Sequence, residues 1–394
     1  MTIQLPIPVL FALVGCAVLL AGAGKRANAV DTARAEKADG QRVNPAAAAL
    51  QWIRVSDDKT HFVQDGSKER IVMWGFNYDR DDAGRLLEDY WAQEWDTVVE
   101  DFREMKALGG NVVRIHLQLG RFMVGVEKPD AQNLERLRQL VRLAEEIGIY
   151  LDVTGLGCYH EKDVPAWYDA LDESGRWAVQ AAFWKAVAGV CKDSPAIFCY
   201  DLMNEPLISG GADKTDWLPG KPLGGKQFVQ RITIDAGDRT EKQVAKAWVE
   251  TLANAIRSVD SRHLITVGVI PWAQIFKGAK PLFYSPEVSA PLDFVSVHFY
   301  PKAVDIEESL AALRVYEVGK PLVIEEFFPL EAGVEKTEEF IKKTGSHVDG
   351  YISFYWGKTI EDNKRKGDIG GALMAQWLER FRALSPYIDG DRQK

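Results

Sequence analysis

The chain has 394 residues, of which 46% are hydrophobic and 27% are charged, a composition typical of a folded protein with a large core. Its formal net charge of −9 at pH 7 argues against a nucleic-acid partner, because such a partner requires a basic stripe, which the sequence lacks. Since barrel folds often exceed about 250 residues as one unit, the number of domains has to come from the pattern of elements.

The amino terminus has the features of an export signal. Residues 1–24 carry no charge and are mostly apolar, and Ala27-Asn28-Ala29 fits a signal-peptidase site, so we predict a signal peptide over residues 1–29. Two alternatives stay open, because the apolar run is long enough for an uncleaved anchor and Leu13-Val14-Gly15-Cys16 resembles a lipobox. All three place the remainder outside the cytoplasm, secreted or periplasmic, with membrane contact only if the segment is retained or lipidated.

Residues 30–50 lack apolar periodicity and predict a flexible leader, so the folded domain is predicted over residues 51–394. Short strands over residues 52–55 and 61–63 predict a small N-terminal β-hairpin. Three cysteines lie in this domain, and an odd number cannot pair fully. Cys191 and Cys199 could form a disulfide, and buried free thiols are equally compatible with the pattern.

Beyond the hairpin, short runs rich in Val, Ile and aromatic residues alternate with segments of helical period. Continuous apolar runs of this kind are typical of strands buried on both faces of a parallel sheet. Eight strands are predicted, over residues 71–78, 111–117, 150–156, 197–203, 263–270, 293–300, 321–327 and 351–356.

Helices are predicted between most of these strands. Thr240 and Gln243 form a capping-box pattern at the start of one of them, and only the fifth connection, residues 271–292, lacks a clear helix. Eight parallel strands with helical crossovers predict an α/β protein, a single (β/α)8 TIM barrel. An open doubly wound sheet is disfavoured, because no phosphate-binding glycine fingerprint follows the first strand. The polar segment 209–239 then becomes a loop on the catalytic face.

The sequence lacks the motifs of several other kinds of functional site. The six histidines show no HExxH spacing and no cysteine pair has zinc-finger spacing, so no metal is predicted. A G-x-S-x-G nucleophile elbow is absent, and the glycine-rich residues 220–227 carry Gln227 where a phosphate-binding loop needs Ser or Thr. No cofactor is predicted.

Two predicted strands end in glutamate at the face where barrel enzymes carry their chemistry. The fourth ends in Asn204-Glu205 and the seventh in Glu325-Glu326. Because a buried carboxylate is costly unless it is paired, solvated or used, one strand-end glutamate alone could be structural. Two on opposite walls of one barrel mouth match the paired carboxyls, about 5–5.5 Å apart, of a retaining glycosidase.

The segment from Trp52 onward resembles the cellulase-like glycoside hydrolases of family 5, most specifically in DLMNEP at residues 201–206 and KPLVIEEF at residues 320–327. The resemblance implies that Glu205 is the acid/base, that Asn204 binds the sugar 2-hydroxyl, and that Glu326 is the nucleophile. Strand alternation places Glu326 on one face with Leu322 and Ile324, and Glu325 on the other. The family usually has a small residue at the position of Glu325, and we favour Glu326 over it.

The resemblance also implies substrate-site roles for residues on three other strands. Arg114 would hold the nucleophile ionised, His298 and Tyr300 would contact substrate and nucleophile, and Trp356 would stack on a sugar. The structural alternatives are a salt bridge, a hydrogen-bonded core pair and core packing, respectively. Thr154 stands where many members have a sugar-binding histidine, and His160 could substitute for it.

The sequence thus predicts a retaining β-glycosidase that acts on a β-linked poly- or oligosaccharide, with β-glucan or β-mannan as the leading candidates. One alternative is a carbohydrate-binding barrel without catalysis, which the two glutamates disfavour. Another is a transglycosylase, in which a second sugar replaces water as acceptor.

Overall fold

A closed parallel sheet forms the centre of the protein. The computed structural model describes residues 49–208, 216–302 and 306–391. In chain order the described strands are β1 (Ile53–Val55), β2 (Phe62–Gln64), β3 (Arg70–Ile71), β4 (Met73–Tyr78), β5 (Val112–Gln118), β6 (Met123–Gly125), β7 (Lys128–Pro129), β8 (Tyr150–Gly157), β9 (Ile197–Asp201), β10 (Pro206–Leu207), β11 (Gln230–Arg231), β12 (Leu264–Thr266), β13 (Gly268–Val269), β14 (Val295–His298), β15 (Leu322–Phe327) and β16 (Gly350–Ser353).

Helices occupy most of the crossovers between the central strands. They are α1 (Leu87–Tyr90), α2 (Trp95–Ala107), α3 (Leu119–Phe122), α4 (Ala131–Ile147), α5 (Ala166–Asp169), α6 (Glu173–Cys191), α7 (Glu241–Arg257), α8 (Trp272–Ile275), α9 (Ile306–Leu313), α10 (Gly333–Thr344), α11 (Ile360–Lys366) and α12 (Ile369–Asp391), with 3₁₀ turns at Glu161–Asp163 and Arg314–Tyr316.

The central sheet closes into a barrel through the fifth predicted strand, which the structure divides into β12 and β13. Its order is β12-β9-β8-β5-β4-β16-β15-β14-β13, with parallel pairing throughout. Thr266 of β12 pairs with Asp201, and Gly268 of β13, two residues later, pairs with Ser296. One chain segment therefore joins both edges of the sheet, and the predicted (β/α)8 barrel is confirmed.

A small antiparallel sheet covers the amino end of the barrel. It has the order β1-β2-β3, so the predicted hairpin gains a short third strand. Phe62 of β2 packs edge-on against Phe198 and Phe294, with ring centroids 5.1 and 5.2 Å apart. This cap closes the end of the barrel opposite the predicted catalytic face.

The barrel interior is layered because side chains alternate along each strand. The lowest layer is apolar and includes Met73, Val112, Tyr150, Leu264 and Val323, which pack against the cap. The next layer up is charged, although its members are 0% exposed. It contains Arg114, Asp152, Asp201 and Glu325, each two residues after an apolar residue of its own strand.

The predictions for the capping box, the fifth connection and the cysteines have different outcomes. The capping box on α7 is confirmed, since Thr240 Oγ1 accepts the N–H of Gln243 at 3.3 Å and Gln243 Oε1 accepts that of Thr240 at 2.8 Å. The fifth connection contains only the one-turn helix α8. Cys191 and Cys199 are buried free thiols, so the possible disulfide is absent.

The predicted signal peptide and nearly all of the predicted leader lie outside the described residues, as do residues 209–215 of the loop after β9. Among the residues that the structure describes, no helix is both long and apolar enough to cross a bilayer.

Candidate active site

Glu205 projects from a strained turn beyond the end of β9. Its backbone φ is 47°, a value that residues other than glycine rarely adopt and that costs about 1–3 kcal/mol. The turn is held because the N–H of Glu205 bonds the carbonyl of Gly268 at 2.9 Å. Strain of this kind is commonly retained where function needs it. The side chain is 14% exposed at the barrel mouth.

Both consecutive glutamates of β15 reach the barrel interior. Leu322 and Ile324 pack outward against the helices, so the expectation that they share a face with Glu326 is wrong. The pairing register of β15 with β16 shifts between Ile324 and Phe327, which sends Phe327 outward against Trp377. This irregularity turns Glu326 towards the mouth while regular alternation keeps Glu325 inside.

Exposure separates the two glutamates. The side chain of Glu326 is 10% exposed and that of Glu325 is 0% exposed. A nucleophile has to reach its substrate, so this difference supports Glu326 over Glu325. An oxygen of Glu326, an oxygen of Glu205 and a ring nitrogen of His298 all lie within 4.8 Å of one another. This limit on the closest approach of the two carboxyls agrees with the roughly 5–5.5 Å separation of retaining glycosidases.

The guanidinium of Arg114 is a buried hub beneath this pair. Nη1 donates to Glu326 Oε1 at 2.8 Å and to Asn77 Oδ1 at 3.0 Å. Nη2 donates to Asp201 Oδ2 at 2.8 Å and to Asn204 Oδ1 at 2.9 Å. Arginine suits this position because its planar fork keeps its charge and can bond several oxygens at once.

Tyr300 and His298 contact the two glutamates from the end of β14. The Tyr300 hydroxyl donates to Glu326 Oε2 at 2.9 Å, and His298 Nδ1 lies 2.9 Å from Glu205 Oε1. Burial raises the pKa of Glu326 above its ordinary value and the charge of Glu205 adds to this, whereas His298, Arg114 and Tyr300 lower it. The cation at Arg114 therefore offsets part of the desolvation of Glu326.

Asn204 is held in a single orientation. Its Oδ1 accepts from Arg114, and its Nδ2 donates to the carbonyl of Phe228 at 2.9 Å. An amide nitrogen carries two hydrogens, so one remains for a ligand. Phe228 belongs to the loop after β9, which therefore reaches back to the site as a loop on the catalytic face should.

Trp356 does not form an open platform. It is 1% exposed and packs edge-on against Phe76 at 5.7 Å, so the expectation of sugar stacking is replaced by its core-packing alternative. Directly after β16, the aromatic rings of Phe354 and Tyr355 remain partly exposed. The guanidinium carbon of Arg80 lies 4.3 Å from the Tyr355 ring centroid and 5.7 Å from that of Phe354.

Thr154 joins the buried network and not a sugar subsite. Its Oγ1 accepts from Arg114 Nε at 2.8 Å and donates to Asp201 Oδ2 at 2.9 Å. His160, the possible substitute, lies beside Asp89, with Nε2 3.9 Å from Oδ2. Thr154 is buried and so does not face a sugar, whereas the substitution by His160 stays a prediction.

Asn77, His116 and Asp201 also belong to the network, and period-two spacing along their strands could have predicted them. Asn77 bonds Arg114 and also accepts from His116 Nε2 at 3.1 Å, while His116 Nδ1 lies 2.6 Å from the Tyr159 hydroxyl. Burial lowers the pKa of His116 well below its usual value, so the ring is neutral and Nδ1 accepts from Tyr159. Asp201, the third, bonds Arg114 directly.

Glu205, His298 and Glu326 could in principle ligate a metal ion, but the local charges favour another use. Glu326 already binds Arg114 and Tyr300, and His298 Nδ1 is directed at Glu205. A cation placed among them would be repelled by the adjacent guanidinium. The arrangement suits two carboxyls that act on a bound substrate.

Comparisons with known proteins identify similar sequences and folds. The chain is similar to the probable mannan endo-1,4-beta-mannosidase A of Aspergillus flavus, 26% identical over 264 residues, and spans only about 60% of that relative's length. That alignment covers 60% of this chain.

Two solved structures share the fold. One is the beta-1,4-mannanase of the sea hare Aplysia kurodai, with a TM-score of 0.56, 18% identity, and coverage of 82% of this chain and 96% of that one. The other is the exo-beta-1,4-mannosidase Op5Man5 of an Opitutaceae bacterium, with a TM-score of 0.60, 18% identity, and coverage of 84% and 62%. The family model described as cellulase (glycosyl hydrolase family 5) matches residues 65–359, and the chain belongs to that family.

Proposed function

We propose that the protein is a retaining β-glycosidase in which Glu205 is the acid/base and Glu326 the nucleophile. The observation that carries the proposal is the pair of partly exposed carboxylates whose oxygens approach within 4.8 Å at the mouth of the barrel. Family membership supports the same chemistry. No step of it requires a cofactor.

In the first step Glu326 attacks the anomeric carbon while Glu205 protonates the departing glycosidic oxygen, so one ester bond forms as the glycosidic bond breaks. In the second step Glu205 removes a proton from water, which attacks the same carbon and releases Glu326. Two inversions retain the configuration. Arg114 and Tyr300 position Glu326 for both displacements, and Asn204 offers its free N–H to the sugar 2-hydroxyl.

The substrate we propose is a β-1,4-linked mannan, with β-glucan as the second candidate. The support for mannan is the printed name of the relative from Aspergillus flavus and of both solved structures above. We propose Phe354 and Tyr355 as rings that face the sugar, because a pyranose face is apolar and these rings stay partly exposed. We also propose that residues 1–29 direct secretion, which would bring the enzyme to an extracellular polysaccharide.

The test is a panel of soluble β-mannans, β-glucans and 2,4-dinitrophenyl β-glycosides, with the anomer of the first product read by proton NMR. We expect the β-anomer first. Glu205→Gln and Glu326→Gln should each lower kcat on polysaccharide by roughly 10²- to 10⁴-fold, whereas Glu331→Gln, an exposed glutamate after β15, should not. Sugar binding without turnover would indicate a binding protein, and oligosaccharide products at high sugar concentration would indicate transglycosylation.

Azide distinguishes the two roles on an activated glycoside. In Glu326→Gly, azide can attack the anomeric carbon directly and yield an α-glycosyl azide. In Glu205→Ala, it can intercept the glycosyl-enzyme ester and yield a β-glycosyl azide. The opposite pattern, or rescue of Glu325→Gly in place of Glu326→Gly, would overturn the assignment.

A further inference from the structure

Glu325 is a fully buried carboxylate that the double-displacement mechanism does not use. Its Oε2 lies 3.3 Å from His298 Nε2 and 3.5 Å from Arg114 Nη2. The backbone makes room for it, because a Cβ on Gly268 would meet this oxygen at 2.4 Å and His298 Nε2 at 2.7 Å. The space for Glu325 and His298 thus depends on the absence of a side chain at Gly268.

A carboxyl neighbour of Glu325 is neutral. Glu325 Oε1 and both oxygens of Asp152 have no hydrogen-bond partner among the described residues. Burial and the charge of Glu325 raise the pKa of Asp152 well above its ordinary value, so Asp152 carries a proton and no charge. Glu325 remains ionised, because the charges of Arg114 and His298 outweigh burial and lower its pKa.

His298 therefore has a carboxylate at each ring nitrogen, Glu205 at Nδ1 and Glu325 at Nε2. A ring that donates from both nitrogens is an imidazolium. Burial alone would lower the pKa of His298, but the charge of Glu326 and the bonds to Glu205 and Glu325 outweigh it and raise the pKa to about 10. The charged or titratable groups that face this ring are Glu205, Glu325, Glu326, Arg114 and His116.

We propose that Glu325 is a positioning residue that fixes His298 as a two-sided donor, so that His298 holds Oε1 of Glu205 and leaves Oε2 of Glu205 to exchange a proton with the substrate. The imidazolium also stabilises the carboxylate that Glu205 becomes when it protonates the leaving group. Glu325 itself touches no reacting atom. The effect on catalysis rests on the proposed function, whereas the state of His298 can be measured without it.

The first measurement uses the full chain and needs no activity. Long-range ¹⁵N–¹H spectra of histidine-labelled protein report which ring nitrogens carry protons, and His298→Asn assigns the peak. We expect both nitrogens of His298 to be protonated from pH 6 to about pH 9. A neutral His298 ring at pH 7.5 in the wild-type protein would overturn the proposal.

The second measurement compares Glu325→Gln with Asp349→Asn. Asp349 is also a buried carboxylate, 4% exposed, but it pairs with Arg70 where β16 begins, at the amino end of the barrel. In Glu325→Gln we expect the pKa of His298 to fall by about one pH unit or more, because the ring loses one charged partner. We also expect kcat/KM to fall roughly 10- to 100-fold. The alkaline limb of the pH–rate profile should shift to lower pH together with the pKa of His298. Asp349→Asn should lose stability with the profile unmoved.

The outcomes separate the two proposals. If His298 titrates in Glu325→Gln as in the wild type, or if the variant loses rate with no shift of the alkaline limb, Glu325 acts only through stability and the inference fails. If the wild type cleaves no glycoside but His298 responds as expected, the proposed function fails and the coupling of Glu325 to His298 stands.

Discussion

Arg114 and Glu326 form a direct ion pair, with 2.8 Å between Nη1 and Oε1, inside a barrel where Arg114 has no exposure to water. The same guanidinium also bonds Asn204, the residue that precedes the proposed acid/base. One side chain from β5 thus ties the ends of β9 and β15 together, and this sets the separation of the two glutamates.

Replacement of Arg114 by lysine should damage both stability and rate. An ammonium has three donors and no planar fork, so several of the five oxygens now bonded to Arg114 would lose their partner. We expect a loss of about 3–5 kcal/mol in the free energy of unfolding, measured with urea, and a fall in kcat of roughly 100-fold or more. Arg70→Lys, at the amino end of the barrel, is the control and should leave kcat unchanged. A kcat for Arg114→Lys near that of the wild type would contradict the role of the hub.

Tyr300→Phe should lower kcat with little change in stability. The variant keeps the ring but removes the donor to Glu326 Oε2, and a hydrogen bond to a charged group contributes about 1.5–3 kcal/mol, or roughly 10- to 100-fold in rate. Tyr168→Phe removes a buried hydroxyl that accepts from Gln180, away from the site, and should keep full activity. Equal kcat for both variants would show that Tyr300 does not act on Glu326.

The aromatic residues after β16 should separate into a core residue and sugar-facing residues. Trp356→Phe removes buried volume and should cost about 1–3 kcal/mol of stability while KM stays unchanged. Phe354→Ala and Tyr355→Ala should instead raise KM for oligosaccharides, because they remove partly exposed apolar surface. A large rise in KM for Trp356→Phe, with wild-type KM for the other two, would restore the original assignment of Trp356.

Glu88→Gln should stabilise the protein at neutral and alkaline pH. Burial raises the pKa of Glu88 from 4.5 to about 7, so the folded state holds this proton more tightly than the unfolded state does. Stability is therefore lost as pH rises from 4.5 through 7 and stays lost above it. Glutamine keeps the oxygen that accepts the N–H of Gln118 and carries no charge.

Thermal melts from pH 4.5 to 8.5 test this prediction. The variant should match the wild type at the acid end and exceed it above pH 7 by up to about 3 kcal/mol. Glu69→Gln, an exposed position, should show no such divergence. Parallel stability curves for wild type and Glu88→Gln would refute the assignment.

The cysteines should be unreactive until the protein unfolds. Cys158, Cys191 and Cys199 are buried, and burial raises the pKa of Cys158 to about 12, so little thiolate is exposed to a reagent such as DTNB. We expect no reaction in the native state and three thiols in guanidinium if the predicted signal peptide is cleaved. A fourth thiol, from Cys16, would show that the segment is retained.

Family membership and the barrel were both predictable from the sequence. Apolar strands at regular intervals predict a parallel barrel, and DLMNEP with KPLVIEEF identifies the family, which the family model confirms. The positions of Glu205, Glu326, His298 and Tyr300 followed from strand ends. In the structure these four residues lie together at the barrel mouth, whereas their catalytic and binding roles stay predictions.

Two expectations failed for reasons that local pattern does not contain. Strict alternation predicts the wrong face for Glu326, because the register of β15 shifts before Phe327. The place of Trp356 at the end of the eighth predicted strand indicates a sugar platform, but Phe76 covers it in the core. Both outcomes depend on how neighbouring strands and helices pack.

The sequence by itself determined the order of strands and helices, the strand-end glutamates and the absence of sequence motifs for a metal or nucleotide. Only the tertiary structure decided that Arg114 also bonds Asp201 and Asn204, and that Gly268 makes room for Glu325 beside His298. The physical reason is that periodicity reports which face a residue takes within its own strand. Barrel closure and register shifts determine which side chains from different strands meet.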